Sequence, residues 1–151
     1  MTITQLIGLL GLIFGLVGTI LGILNYLRDR ARVQVRLQWD MRVMDNPLYD
    51  PKKYWGIVRI DNVGRRPIFV SHVALRLPKK LKKTLLLNDG IAGIRLAEGD
   101  ATKAYILSQE GLEEYAPHWR KIVARVSDVS GREWTSKKLQ KTDVPSWAKH
   151  G

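Results

Sequence analysis

Acid–base or metal chemistry would have to come from His72, His118 and His150 together with carboxylates such as Asp61 and Asp128. The three histidines lie in unrelated contexts, and no pair has a ligand spacing such as H-x-x-x-H. A composite centre of Asp61, His72, His118 and Asp128 would exist only if the fold gathered them. The chain has no cysteine, which excludes thiolate nucleophiles, iron–sulfur clusters, Cys-based zinc sites and disulfides. No Walker-type or G-x-G-x-x-G element occurs in the charged part of the chain. The sequence therefore points away from an enzyme and from a cofactor.

Cations offer a different chemistry. The formal net charge is +11, and residues 1 to 27 contain no charged side chain, so the whole excess lies in residues 28 to 151. Arg28, Arg30 and Arg32, the pair Arg65 and Arg66, the run Lys79, Lys80, Lys82 and Lys83, and the pair Lys137 and Lys138 are candidates for contact with an anionic surface. The bland alternative is a solvated, solubilising surface. Nucleic acid would additionally call for exposed stacking aromatics, whereas Trp39 and Trp134 fall at strand positions with a buried pattern, so it is not an expected partner.

Glycines carry the third signal. Gly8, Gly11, Gly15, Gly18 and Gly22 recur at alternating steps of three and four inside an apolar run, a heptad spacing that holds all five on one stripe of a helix in a left-handed supercoil. In lipid, where apolar faces gain nothing by leaving their solvent, such a stripe lets backbones approach and pack. It is read as a helix-packing face for self-association. The alternatives are a different membrane partner, or simply the high glycine content usual in membrane helices.

The element that positions these glycines is the run from Ile3 to Leu27. From Leu6 to Leu24 only Thr19 is neither apolar nor glycine, enough to cross a hydrocarbon core of about 30 Å at about 1.5 Å per residue. A cleaved signal peptide would need a basic start and a small-residue cleavage site, and neither is present. Arg28, Arg30, Arg32 and Arg36 follow the run and none precedes it, so the expected location is the cell (inner) membrane, with the N-terminus outside and the C-terminal domain facing the cytoplasm and its anionic leaflet. Tyr26 suits the boundary.

Beyond the anchor (1–30), residues 31–137 read as one β domain and 138–151 as a basic, loose tail. Val33 to Val43 alternate apolar and polar, which is the period of a half-buried strand. Further strands are expected at Trp55 to Asn62, Pro67 to Leu77, Thr84 to Leu87, Ile91 to Leu96, Ala101 to Leu107 and in a last hairpin pairing Lys121 to Ser127 with Arg132 to Ser136. Gly64 is expected to supply a positive φ in a hairpin over residues 62 to 66, and Asn88, Asp89 and Gly90 a turn. Ser108 is expected to cap a short helix that runs to Ala116 and stops at Pro117. Turns every eight to twelve residues favour a β-sandwich, with an incomplete barrel as competitor.

The glycine-bearing span, the run Asn62 to Pro67 (NVGRRP), the turn Glu98 to Asp100 and the hairpin Asp128 to Arg132 (DxSGR) together resemble small bacterial membrane-anchored proteins of uncharacterised function. The resemblance implies a bacterial or phage origin and an Ig-like β fold, and supplies no active-site residues. Two functions fit: a membrane-anchored binding or scaffold protein that self-associates through its span and offers the domain to a protein or small-ligand partner, or an oligomeric membrane-perturbing effector of toxin or defence type controlled by that domain. Loss of membrane potential on overproduction, dependent on Gly15 and Gly18, would separate them.

Overall fold

The computed structural model describes residues 2–78 and 93–149, and the backbone of 84–87. One helix, α1 (Ile3–Arg28), precedes eight strands: β1 (Val33–Met41), β2 (Trp55–Asn62), β3 (Ile68–Arg76), β4 (Thr84–Leu87), β5 (Ile94–Leu96), β6 (Lys103–Ser108), β7 (Val123–Asp128) and β8 (Glu133–Thr135). The helix opens on a capping box. Thr2 Oγ1 accepts from the Gln5 amide, and the Gln5 side chain accepts from the Thr2 amide at 2.9 Å. No residue of α1 is buried against the rest of the chain, so its leucines, isoleucines and valines face outward on every side. The helix is long and apolar enough to cross a membrane.

The strands form two antiparallel sheets, ordered β1-β2-β6 and β4-β3-β7-β8, with β5 also pairing β3. This is the arrangement of an Ig-like sandwich, strands A, B and E facing C′, C, F and G. Alternation explains the interior. Val35 and Leu37 of β1, Val58 and Ile60 of β2, Val70, Val73 and Leu75 of β3, and Ala124 and Val126 of β7 point inward and form one core with Leu96 and Ile122. Each large apolar side chain so buried contributes about 1.5–3 kcal/mol.

Several expectations change. Segment 62–66 is not a hairpin: β2 and β3 belong to different sheets, and the loop crosses between them. Gly64 does not have a positive φ; that conformation occurs at Gly93, Gly99, Gly111 and Gly131. β1 ends at Met41 instead of Val43, because Asp40 takes a left-handed conformation (φ 58°) and shifts the register after Gln38. The expected helix over 108–116 is also displaced. Gly111 (φ 80°) interrupts the chain there, and a 3₁₀ segment runs over Glu113–Lys121 with Pro117 inside it and a kink at His118.

The tail is not loose. Pro145 is fully buried, and Trp147 is 6% exposed, packed edge-on against Trp39 at 5.5 Å between ring centroids. Asp40 accepts hydrogen bonds from both the amide and the hydroxyl of Ser146. Trp39 in turn lies over Gly56, where a Cβ would run into the indole ring and into Leu107. Residues 138–149 thus form a strap that packs against Trp39 and Asp40 of β1. The turn at Asn88, Asp89 and Gly90 lies outside the described residues.

Candidate functional site: an arginine collar where helix meets sandwich

Only Asp29 to Arg32 separate α1 from β1, and two loops converge on this joint. The NVGRRP run supplies the first. Asn62 is buried; its side-chain amide donates to the carbonyls of Arg66 (2.8 Å) and Leu96 (2.9 Å), and its Oδ1 accepts from the Gly64 amide (3.0 Å). So shaped, the loop presents the amides of Val63 and Gly64 to one acceptor, the Arg32 carbonyl, at 2.9 and 3.1 Å. Gly64 lies so close to the joint that a Cβ would collide with the backbone of Arg30 and Arg32. Glycine is required here for approach, not for its φ.

The DxSGR hairpin supplies the second contact. Asp128 Oδ1 accepts from the amide (2.9 Å) and hydroxyl (2.7 Å) of Ser130 and from the Arg132 amide (2.8 Å), while Gly131 turns with φ 82°. Burial pushes the Asp128 carboxyl up, but the hydrogen bonds from Ser130 and Arg132 and the charge of Arg132 outweigh it and hold it below its ordinary value. A folded-state value below the unfolded one means that the stabilisation is complete above the unfolded carboxylate value and disappears as pH falls through the folded one. Asp128→Asn is therefore expected to cost about 1 kcal/mol at neutral pH, the scale of one net hydrogen bond, and to flatten the acid limb of the stability profile. Parallel acid limbs for variant and wild type in chemical denaturation would contradict this.

The end of α1 completes the joint. Arg28 occupies the last turn, where its charge complements the helix dipole. The Arg30 guanidinium stacks over the Tyr26 ring at 5.2 Å, and Arg66 Nε lies 3.5 Å from Asp29 Oδ2. This ion pair is exposed on both sides and aligns the joint more than it stabilises it. Tyr26, Asp29, Arg30, Ala31, Arg66 and Arg132 line a cleft of about 240 Å³. Three arginines, Arg30, Arg66 and Arg132, thus share the cleft with one carboxylate, Asp29, and Arg28, Arg32 and Arg65, close to them in sequence, are exposed.

Of the expected arginines, Arg30 and Arg66 are brought together at this cleft as one collar, and Arg28, Arg32 and Arg65 are exposed close to them in sequence. Arg132 joins Arg30 and Arg66 in the cleft, although its motif reads only as turn chemistry. Lys137 and Lys138 line a separate groove along β1, and Lys79, Lys80, Lys82 and Lys83 lie outside the described residues. Gly8, Gly11, Gly15, Gly18 and Gly22 each have open space within 4 Å of where a Cβ would stand. Asp61, hydrogen-bonded to Thr102, belongs to the sheet opposite His72 and Asp128. Among the described residues, no three His, Asp or Glu side chains stand together as a metal site. Comparison with family models and with curated proteins finds no match to the chain, so geometry alone carries the functional argument.

Proposed function

We propose that the chain is a single-pass membrane scaffold. α1 spans the inner membrane with its N-terminus outside, copies associate through the glycine stripe, and the Ig-like domain is held at the cytoplasmic leaflet to receive a partner. The observation that carries this is the arginine collar at the end of a fully exposed apolar helix, locked to the sandwich by two amides on the Arg32 carbonyl. A helix about 39 Å long exceeds a hydrocarbon core of about 30 Å, so its last turn reaches head-group depth and the collar meets lipid phosphates. Retention of arginine on the cytoplasmic side gives the orientation.

The effector reading has less support. Thr19, the sole hydroxyl between Leu6 and Leu24, donates to the Gly15 carbonyl at 2.8 Å within its own helix, which leaves no free polar side chain in that stretch to line a pathway. The test of the collar is lipid selectivity. In nanodiscs mixing phosphatidylserine and phosphatidylcholine, the triple variant Arg30→Gln/Arg66→Gln/Arg132→Gln is expected to lose the preferential retention of phosphatidylserine by about tenfold or more, since each cation near an anionic leaflet contributes about 1 kcal/mol. Unchanged lipid ratios in native mass spectrometry would remove the collar from the function.

A further inference from the structure

Both sheets end in an open strand on the same flank of the sandwich. β1 pairs only β2 and β8 pairs only β7 among the described residues, and no ladder closes the seam between them. Alternate amides and carbonyls of β1 therefore point away from β2 with no strand to receive them. Beside this edge runs a groove of about 940 Å³, walled by the whole of β1, by Val63 and by the strap from Thr135 to Val144. Its length matches the strand, nine residues or roughly 30 Å.

The walls are apolar below and cationic above. Val33, Leu37 and Trp39 contribute the apolar part, and Lys137, Lys138 and Arg36 the charge, Arg36 lying 3.9 Å from Asp61. Neither Lys137 nor Lys138 has a carboxylate within ion-pair distance among the described residues. Of the two acids on the walls, Asp40 is engaged by Ser146 and Asp143 accepts from the Thr142 hydroxyl. Lys138 also borders a smaller hollow of about 340 Å³ formed with His118, Trp119, Arg120 and Lys121, whose lining includes no carboxylate. A positive track thus continues from the groove beyond the strap.

A lipid head group or a free phosphate could meet the cations, but neither can use a row of unpaired backbone groups. Nucleic acid would want an exposed aromatic platform, and Trp39 is half-buried, close against Gly56 and edge-on to Trp147. We propose that β1 and the strap form a receptor for an extended acidic segment of a partner protein, which adds a strand to the free edge of β1 and sets its carboxylates against Arg36, Lys137, Lys138 and the Arg120–Lys121 hollow. This rests on the scaffold reading in that it names the kind of partner the domain receives.

The probe is an N-acetylated Glu–Val repeat peptide as long as β1, titrated by fluorescence anisotropy into full-length protein in detergent. It is expected to bind, with Lys137→Glu/Lys138→Glu weakening it by about tenfold or more. A version N-methylated at every residue, which can form a hydrogen-bond ladder through neither edge, and a Lys–Val repeat are both expected not to bind. Failure of the Glu–Val peptide to bind, equal binding of the N-methylated peptide, or equal binding of a charge-matched dT oligonucleotide would each overturn the proposal. Cross-linking the same preparation keeps the two readings apart: absent peptide binding with an intact oligomer sinks the strand site alone, whereas a monomer that binds peptide sinks self-association alone.

Discussion

Leucine at both Gly15 and Gly18 is expected to abolish the cross-linked oligomer of the solubilised protein, by more than tenfold in yield, and to leave the melting of the sandwich unchanged. The two positions occupy the middle of a stripe on which no atom outside the helix approaches within 4 Å. Helices packed through glycine approach to the short end of interaxial distances, about 8 Å, where backbone meets backbone. Two leucines fill that space and force the axes apart. Little else can replace the lost contact, because lipid tails solvate leucine as well as another helix does. Ile13 and Ile20 lie on the opposite face, so Ile13→Leu/Ile20→Leu serves as the control that should cross-link like wild type. Equal cross-linking of the glycine double variant would show that the stripe is not the interface.

Alanine at Gly64 is expected to cost about 2–4 kcal/mol and to uncouple the helix from the sandwich. The added methyl would meet main chain on the far side, the Arg30 carbonyl and the Arg32 amide, so no side chain can swing aside. Relief requires the Asp29 to Arg32 connection to move outward, which breaks both hydrogen bonds to the Arg32 carbonyl and separates Arg66 from Asp29. Faster amide exchange at Val63 and Gly64, with a lowered melting temperature, is the expected signature. Wild-type protection at both amides would refute the clamp.

How far the sequence discloses this arrangement depends on the range of the interaction. Local periodicity marks β1, β2, β3 and β7 because a half-buried strand must alternate wherever its partners lie. The hairpin across Asp128 to Gly131 is equally legible, since its turn is held by Asp128 itself. The loop at Asn62 to Arg66 looked like a second hairpin because nothing local records whether the next strand stays in the sheet or crosses to the other. The same limit hid the reason for Gly64, whose obstacle is a segment some thirty residues upstream. Trp147 sat among polar and basic neighbours, and its burial depends on Trp39 at the other end of the domain. A proline followed so soon by a tryptophan was the one local sign that the tail docks.

The collar was half visible. Arg30 and Arg66 announced themselves by lying next to the apolar helix or in a basic doublet, whereas Arg132 was hidden behind the turn it helps to form. Arg132 reaches the joint only because sheet order carries the β7–β8 hairpin to the end of the sandwich where α1 leaves, a consequence of topology and not of spacing.

Cysteine accessibility reports on whether α1 crosses the membrane, because the sequence has no cysteine of its own to react. Single substitutions Thr2→Cys, Leu12→Cys and Ser130→Cys would be probed with a membrane-impermeant maleimide in spheroplasts before and after permeabilisation. The account predicts labelling of Thr2→Cys from outside, of Ser130→Cys only after permeabilisation, and of Leu12→Cys in neither condition. Labelling of Leu12→Cys in unpermeabilised cells, or recovery of the intact protein in the aqueous fraction, would contradict it.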